Sequence, residues 1–248
     1  MRITAGTALF IATIAITAQA GCVQPTSIQF GPEAKYSGYL ARPAGDGPFP
    51  GVIVIHEWWG INDNIRNEAK KLAELGYVAL AVDLFGKTAT DQQEAMKQVQ
   101  GLDQNAATAQ LLAAAQYLRS QTFVKPERVG SIGWCFGGRQ SLFLAANDPK
   151  LAAAIVYYGK PITDPKDIAK IKAPILGIWG GTDESIPPEQ VNAFDKALTD
   201  AEIEHEFHTY PGAGHAFANP SGGERYKPDA AKDAWAKTLA FLAKHLKR

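Results

Sequence analysis

A cysteine lies in a glycine-rich turn near the middle of the chain, in the segment VGSIGWCFGG over 129–138. Gly133 precedes Cys135 by two positions and Gly137 follows it by two, which matches the nucleophile turn G-x-S-x-G with cysteine in place of serine. Such a turn joins a strand to a helix so closely that a side chain at either glycine would clash. The pattern predicts a nucleophilic thiolate, and the alternative is a small buried side chain in a tight turn.

An acid and a base follow the cysteine in the order that a catalytic triad of this type requires. Asp183 comes just after the apolar run ILGIWG, and His215 lies in a loop after the next strand. We expect His215 to accept the thiol proton, and Asp183 to orient His215 and stabilise its charged form. The backbone N–H of Phe136, which begins the next helix, and that of Trp58, in the loop after VIVIHE, are the expected oxyanion donors.

Apolar runs and amphipathic segments alternate along the chain and must position these residues. Strands are predicted at KYSGYLARP, PFPGVIVIHE, YVALAVDLFG, RVGSIGW, LAAAIVYYG, APILGIWG and HEFHTYPG. Helices are predicted between most of them, with a break near Gly101 and a last helix from Pro228. The apolar stripe of that last helix consists of Trp235, Leu239, Leu242 and Leu246. Helical crossovers imply an α/β fold class, with a mostly parallel sheet and helices on both faces in one three-layer domain.

Composition excludes several classes of function. The 248 residues include 25 Lys and Arg and 25 Asp and Glu, so the formal net charge is zero and no nucleic-acid partner is expected. The two cysteines, Cys22 and Cys135, cannot form a disulfide framework, and no His and Cys cluster has the spacing of zinc ligands. We expect no cofactor, no metal and no membrane span, and a monomer that acts on a small molecule.

The N-terminal segment MRITAGTALFIATIAITAQA has Arg2 near its start, an apolar centre and small residues at its end, which is typical of a secretory signal peptide. We predict a signal peptide over 1–20, a mature chain from Gly21, and export to the periplasm or the medium. A core helix or membrane anchor is the alternative, although the apolar run is short for a span. The position of Cys22 after Gly21 leaves a lipid anchor open.

The segments HEWWG, GWCFGG, GGTDESIPP and GAGHAF together resemble the dienelactone hydrolase family of α/β-hydrolases. The resemblance runs from Ser37 to the C-terminus, so we expect a lead-in over 21–36 and one domain over 37–248. It implies cleavage of a lactone or small carboxylic ester through a Cys-His-Asp triad and a thioester acyl-enzyme. The residues that it implies are the nucleophile Cys135, the acid Asp183, the base His215 and the oxyanion donors Phe136 and Trp58.

Glu57 stands where this family has a glutamate that contacts the resting cysteine. The resemblance implies that Glu57 keeps Cys135 protonated until substrate displaces the carboxylate, because a neighbouring negative charge disfavours a thiolate. A solvated loop acid at a strand end is the alternative.

The expected substrate contacts depart from the family pattern. Members clamp a substrate carboxylate with two arginines, and this sequence has Lys87 and Asn219 at those positions. Lysine keeps a point charge and asparagine keeps none, so acceptance of an anionic lactone is open, with a shifted Arg225 as one replacement. Trp59 and Tyr158 are the expected pocket residues.

Other functions remain open at this point. The same triad could act on neutral substrates as an exported carboxylesterase or thioesterase. A non-catalytic binding protein or a thiol redox protein is the further alternative, although a redox protein usually needs a resolving cysteine and only Cys22 is present for that role. The residues expected to be structural are His56, Asp83, His205, His208 and His245.

Overall fold

The computed structural model describes residues 23–247 of the chain. The predicted signal peptide over 1–20, the mature start at Gly21 and the lipid anchor at Cys22 lie outside the described residues. In the part that is described, no helix combines the length and the apolar character that a membrane crossing needs.

Eight strands form one sheet. In chain order they are β1 (Gln24–Phe30), β2 (Tyr36–Arg42), β3 (Phe49–Ile55), β4 (Val78–Val82), β5 (Val124–Trp134), β6 (Ala154–Tyr157), β7 (Ile175–Gly180) and β8 (His205–Tyr210). Their order across the sheet is β1-β2-β4-β3-β5-β6-β7-β8. β2 pairs antiparallel with β1 and β4, and the other neighbours are parallel. The predicted α/β class with a mostly parallel sheet is therefore confirmed.

Helices connect most of these strands, and several of them begin at side-chain caps. They are α1 (Asp63–Glu74), α2 (Gln92–Gln100), α3 (Gln104–Ser120), α4 (Phe136–Asn147), α5 (Pro165–Ile168), α6 (Pro188–Asp200) and α7 (Pro228–Leu246), with short 3₁₀ turns at Pro32–Ala34 and Gly223–Arg225. The side chains of Asn62, Asp91 and Asp103 accept backbone hydrogen bonds at the starts of α1, α2 and α3. Gly101 follows α2, so the predicted break between α2 and α3 is confirmed.

The sheet separates two apolar layers, because alternate residues of a strand point to opposite faces. Ile53 and Ile55 of β3 belong to the layer that includes residues of α3 and α4, whereas Val52 and Val54 belong to the layer with residues of α1 and α7. All of them are fully buried. Burial on both faces explains why β3 is a continuous apolar run.

The strand order also sets the functional edge of the sheet. β3 lies between β4 and β5, so the chain turns to one side of β3 and then crosses to the other. In open parallel sheets, ligands bind outside the carboxyl ends of the strands at such a switch point. Glu57 and Cys135 follow β3 and β5 directly, so the fold brings both residues to this edge.

Some local features differ from the sequence predictions. The lead-in over 21–36 contains β1, which forms a hairpin with β2 and belongs to the same sheet. The short helix α5 has only four residues and was not predicted, since so short a helix has no apolar periodicity. In α7 the fully buried residues include Thr238 and Phe241, whereas Trp235 and Leu239 of the predicted stripe are only half-buried. The helix is therefore rotated slightly from the predicted face.

Candidate active site

The turn between β5 and α4 holds Cys135 in a strained conformation, with φ 55° and ψ −117°. Its tightness explains the two glycines. A Cβ at Gly133 would lie 2.1 Å from the carbonyl oxygen of Gly137, and a Cβ at Gly137 would lie 2.3 Å from that of Ile55. Only glycine fits at these two positions, because the neighbouring backbone segments are too close for a side chain. The turn leaves Cys135 partly exposed.

Cys135, His215 and Asp183 form one chain of hydrogen bonds. The Nε2 atom of His215 lies 3.1 Å from the Sγ atom of Cys135, and its Nδ1 atom lies 2.7 Å from the Oδ2 atom of Asp183. The structure thus brings together three residues that are far apart in the sequence, each in a loop that follows a different strand.

Asp183 is only 3% exposed and is surrounded by donors. Its Oδ1 atom accepts from the backbone N–H of Ser185 at 2.9 Å, from the Ser185 hydroxyl at 2.6 Å and from the N–H of Ile186 at 3.3 Å. Burial raises the pKa of Asp183, but the hydrogen bonds from His215 and Ser185 prevail and hold this pKa below its ordinary value. Asp183 is therefore a stable anion at neutral pH.

His215 is correspondingly stabilised as a cation. Burial lowers the pKa of His215, but the hydrogen bonds to Asp183 and Cys135 outweigh burial and raise it to about 10. An imidazolium that bridges a carboxylate and a sulfur atom is the arrangement in which a histidine shares the proton of a thiol.

Free backbone N–H groups lie next to the sulfur-bearing turn. The carbonyl of Cys135 accepts from the N–H groups of Gly138 and Arg139, so α4 begins directly after the cysteine. Among the described residues, the N–H groups of Phe136 and Trp58 have no hydrogen-bond acceptor. The amino end of a helix favours negative charge, and both residues line the cavity beside Cys135.

Glu57 is buried, with 3% of its surface exposed. Its Oε2 atom accepts from the Nδ2 atom of Asn219 at 2.5 Å. Burial raises the pKa of Glu57 to about 7, and the hydrogen bond from Asn219 and the nearby charges of His215 and Arg225 oppose that rise. Among the described residues no hydrogen bond joins Glu57 to Cys135, and the resting contact that the family resemblance implies stays a prediction.

A cavity of about 470 Å³ opens beside Cys135. Its apolar walls come from Trp58, Met96, Val99, Phe136 and Ile186. The predicted pocket residue Tyr158 lines it too; its hydroxyl group is buried and has no hydrogen-bond partner, and its ring centroid is 5.3 Å from that of His215. A cavity of this size and character fits a small, largely apolar ligand.

Three predicted substrate contacts lie elsewhere in the structure. The ammonium group of Lys87 bonds to the carboxylate of Glu94, and Lys87 lines a separate cavity near β2. Asn219 is directed at Glu57 and is 8% exposed. Trp59 packs edge-on against Trp58 and does not line the cavity. These three residues have other partners and do not line this cavity, and their contact with substrate stays a prediction.

Three other residues that line the cavity, Ser185, Arg139 and Lys160, were not predicted from the sequence. Ser185 follows Asp183 by two positions, and a serine at that spacing is a recognisable local partner for an aspartate. Arg139 and Lys160 line the cavity from α4 and from the loop after β6. Nothing in their local sequence distinguishes them from ordinary surface cations.

His56 and Asp83, two of the residues expected to be structural, make hydrogen bonds within the fold. His56 is fully buried; its Nδ1 atom lies 2.6 Å from the carbonyl oxygen of Glu57, and its Nε2 atom accepts from the N–H of Leu84. Asp83 accepts from the N–H groups of its own loop. Between residues 23 and 247, no three His, Cys, Asp or Glu side chains are grouped as metal ligands would be.

Comparisons with known proteins identify the family. The model described as "Dienelactone hydrolase family" matches residues 36–246. A "Putative carboxymethylenebutenolidase" of Salmonella typhimurium is 36% identical over 222 residues, which cover 84% of this chain and 82% of that protein. A "Probable 2-oxo-3-(5-oxofuran-2-ylidene)propanoate lactonase" of Bradyrhizobium sp is 35% identical and covers 84% and 89% of the two chains. A crystal structure of a "Putative Dienelactone Hydrolase" from Klebsiella pneumoniae superposes with a TM-score of 0.84 at 30% identity, covering 90% of this chain and all of that one. The chain belongs to the dienelactone hydrolase family.

Proposed function

We propose that the protein cleaves lactones or small carboxylic esters with Cys135 as the nucleophile, through a thioester acyl-enzyme. The family makes the protein a carboxylic ester hydrolase. The observation that carries the finer proposal is the continuous chain of hydrogen bonds from Cys135 through His215 to Asp183.

In the first half of the reaction, His215 holds the proton of the Cys135 thiol, and the sulfur attacks the carbonyl carbon of the ester. A C–S bond forms, and the carbonyl electron pair moves to oxygen as an oxyanion. When the oxyanion collapses, the C–O bond to the alcohol breaks and His215 donates its proton to the leaving oxygen. Asp183 keeps the imidazole in place and stabilises its positive charge during both proton transfers.

In the second half, a water molecule attacks the thioester carbonyl while His215 removes its proton. Collapse of this second oxyanion releases the carboxylic acid and restores Cys135. The N–H groups of Phe136 and Trp58, which have no other acceptor among the described residues, are the proposed donors to both oxyanions.

The test is the steady-state hydrolysis of dienelactone and of a neutral aryl ester by the wild-type protein, Cys135→Ala and Cys22→Ala. Cys22 is the other cysteine of the sequence, so its variant is the matched control and should retain activity. We expect Cys135→Ala to lose at least about 10³-fold in kcat/KM, as is usual when a covalent nucleophile is removed. Activity that survives in Cys135→Ala would reject the thiol mechanism.

We further propose that the protein is exported, on the basis of the signal-peptide pattern of residues 1–20. Cell fractionation followed by N-terminal sequencing checks this. A mature chain that begins at Gly21 supports cleavage and export, a blocked and lipid-modified Cys22 supports an anchor, and an intact Met1 in the cytosol rejects the proposal.

A further inference from the structure

His56 follows β3 directly, is fully buried, and uses both nitrogen atoms of its ring. Its Nε2 atom accepts from the backbone N–H of Leu84 at 3.1 Å, and its Nδ1 atom lies 2.6 Å from the carbonyl oxygen of Glu57. A ring nitrogen that accepts from an N–H group carries no proton, and a carbonyl oxygen can only accept. The proton of the ring is therefore on Nδ1, which donates to Glu57, so the two partners fix one tautomer of His56.

The ring is also held in its neutral form. Burial lowers the pKa of His56, and the hydrogen bond to Glu57 and the charge of Asp83 oppose this fall without reversing it. A protonated ring would turn Nε2 into a donor that faces the N–H of Leu84. The donor at Nδ1 is thus the single polar hydrogen that this side chain provides at neutral pH.

The carbonyl group that His56 holds belongs to the same peptide as the N–H of Trp58. In a trans peptide these two groups point in opposite directions, so a hydrogen bond to the oxygen also sets the direction of the N–H. Trp58 lines the cavity beside Cys135, and His56 does not. Within residues 23–247 the Trp58 N–H has no acceptor, so the peptide is held from its interior side and leaves its N–H group available.

The ring of His56 also contacts Phe136, the residue that carries the other proposed oxyanion donor. The centroids of the two rings are 5.9 Å apart, and their planes differ by 19°. The two backbone segments are close as well, because a Cβ at Gly137 would lie 2.5 Å from the carbonyl oxygen of His56. One buried side chain therefore bonds to the peptide of one donor and packs against the residue of the other.

We infer that His56 is a positioning residue of the oxyanion site, whose Nδ1–H group holds the peptide between Glu57 and Trp58 so that the Trp58 N–H stays directed at the developing oxyanion. Donors that are fixed before the reaction need no reorganisation when the charge forms, and a hydrogen bond to the carbonyl also polarises the N–H of the same peptide. His56 touches no substrate and acts through this peptide. The inference rests on the proposed ester hydrolysis at Cys135.

Two substitutions separate the two hydrogen bonds of the ring. The amide of asparagine lies near the position of Nδ1 and can donate to Glu57, whereas the amide of glutamine reaches the position of Nε2 and can accept from Leu84. We expect His56→Gln to lower kcat about 10- to 100-fold with little change in KM, because the donor acts in the transition state. The N–H of Gly60, 3.3 Å from the same carbonyl oxygen, keeps the loss below that of a deleted donor.

His56→Asn should give the opposite combination of activity and stability. It keeps the donor to Glu57, so we expect kcat within about threefold of the wild type. It leaves the buried N–H of Leu84 without an acceptor, so its melting temperature should be lower than that of the wild type. A fall in kcat as large in His56→Asn as in His56→Gln would overturn the inference, because activity would then not follow the donor.

Alkylation of Cys135 by iodoacetamide provides a readout that a damaged triad would change and a displaced oxyanion donor would not. The sulfur forms a bond to the methylene carbon and iodide leaves, so no oxyanion develops. In the Cys22→Ala background Cys135 is the single thiol, and we expect His56→Gln to leave its alkylation rate unchanged. A parallel fall in alkylation and hydrolysis would overturn the inference.

His205→Gln is the matched control. The Nδ1 atom of His205 lies 2.7 Å from the carbonyl oxygen of Ile203, so this half-buried ring on β8 makes the same kind of bond to a different peptide. Its replacement should leave kcat unchanged. A loss equal to that of His56→Gln would overturn the inference, since the effect would not depend on the peptide that carries Trp58.

A binding measurement separates this inference from the proposed reaction. An aryl trifluoromethyl ketone forms a C–S bond with Cys135 and moves its carbonyl electron pair to oxygen, and no leaving group departs. Fluorine NMR gives its dissociation constant without turnover, and we expect His56→Gln to raise this constant about tenfold. If the wild type hydrolyses no ester but the ketone adduct shows this dependence, the reaction fails and the role of His56 stands. If hydrolysis depends on Cys135 but neither kcat nor ketone affinity responds to His56→Gln, the reaction stands and the role of His56 fails.

Discussion

Two buried carboxylates at the same edge of the sheet have opposite charge behaviour. Asp183 follows β7 and Glu57 follows β3, and each is 3% exposed. The pKa of Asp183 is held below its ordinary value, whereas that of Glu57 is raised to about 7. Burial raises the pKa at both positions, so burial alone does not account for the contrast.

The number of hydrogen-bond donors around each carboxylate accounts for the difference between the two pKa values. Asp183 accepts hydrogen bonds from His215, from the N–H and hydroxyl groups of Ser185 and from the N–H of Ile186. Glu57 accepts one, from Asn219. The fold thus makes one acid a permanent anion beside an imidazolium and leaves the other to change its protonation state near neutral pH.

The largest expected effect comes from removing the fixed anion. In Asp183→Asn, His215 loses the hydrogen bond and the charge that raise its pKa to about 10, so we expect this pKa to fall. We also expect kcat/KM to fall by about 10³- to 10⁴-fold, or roughly 4–5.5 kcal/mol of transition-state stabilisation. Ester hydrolysis and an NMR titration of the imidazole measure the two effects.

Asp200→Asn is a suitable control for that experiment, because Asp200 is exposed at the end of α6 and pairs with Lys196. It should change neither quantity. Retention of activity within about tenfold in Asp183→Asn, or an unchanged His215 titration, would contradict the role of the surrounded carboxylate.

Glu57→Gln tests the raised pKa of Glu57 through the pH dependence of protein stability. Since folding raises the pKa of Glu57 from 4.5 to about 7, its contribution to stability is fully present below about 4.5 and is lost as the pH rises through 7. We expect Glu57→Gln to be more stable relative to the wild type at pH 8 than at pH 5. The free energy of unfolding of the variant minus that of the wild type should therefore be larger at pH 8. The shift corresponds to about 3 kcal/mol, measured by urea denaturation at both pH values.

Asp183 does not interfere with this measurement. Its pKa is lowered on folding, so its contribution is present above its ordinary pKa and is lost only in more acidic solution, and it is the same in both proteins. Glu74→Gln, at an exposed position of α1, is the control and should show no such pH dependence. A difference between wild type and Glu57→Gln that stays constant with pH would show that Glu57 is ionised throughout.

Asn219→Ala should sharpen the contrast, because it removes the hydrogen bond that lowers the pKa of Glu57. We expect this pKa to rise further and stability at pH 8 to fall by about 1–3 kcal/mol, the cost of an unsatisfied buried group. Asn219 also accepts from the N–H of Ser221, which adds a loss at every pH. A double-mutant cycle with Glu57→Gln isolates the Glu57 part; a coupling energy that is no larger at pH 8 than at pH 5 would contradict it.

How far the sequence predicted these features depends on the range of the interaction. The glycines around Cys135 are set by local steric contact, so their spacing identified the turn. The loop that carries Asp183 follows the apolar strand β7, and the loop that carries His215 follows β8; the alternation of strands and helices along the chain indicates both. β1 was missed since it exposes nearly all its residues, so its sequence has no apolar face to recognise.

Contacts between distant loops had no such signal. The hydrogen bond between Glu57 and Asn219 joins residues 162 positions apart. The local sequence around one residue contains nothing that predicts its pairing with the other. Lys87 pairs with Glu94, seven residues further along the chain in the first turn of α2, and this pairing was not predicted either. Arg139 and Lys160 both line the cavity because α4 begins and β6 ends at the same edge of the sheet. The sequence shows which residues are charged, but it does not show where the fold places them.

The smallest effect is expected at one of the redundant donors. Ser185→Ala removes the hydroxyl that lies 2.6 Å from Asp183 Oδ1 but keeps the N–H groups of Ser185 and Ile186 on the same oxygen. Asp183 should therefore remain an anion at neutral pH, with a loss of about 1 kcal/mol, or several-fold in kcat/KM. Ser185→Thr, which keeps a hydroxyl, should restore most of that loss. If Ser185→Ala were instead as damaging as Asp183→Asn, the donors would not be redundant, and the contrast between the two acids would depend on one side chain instead of on the number of donors.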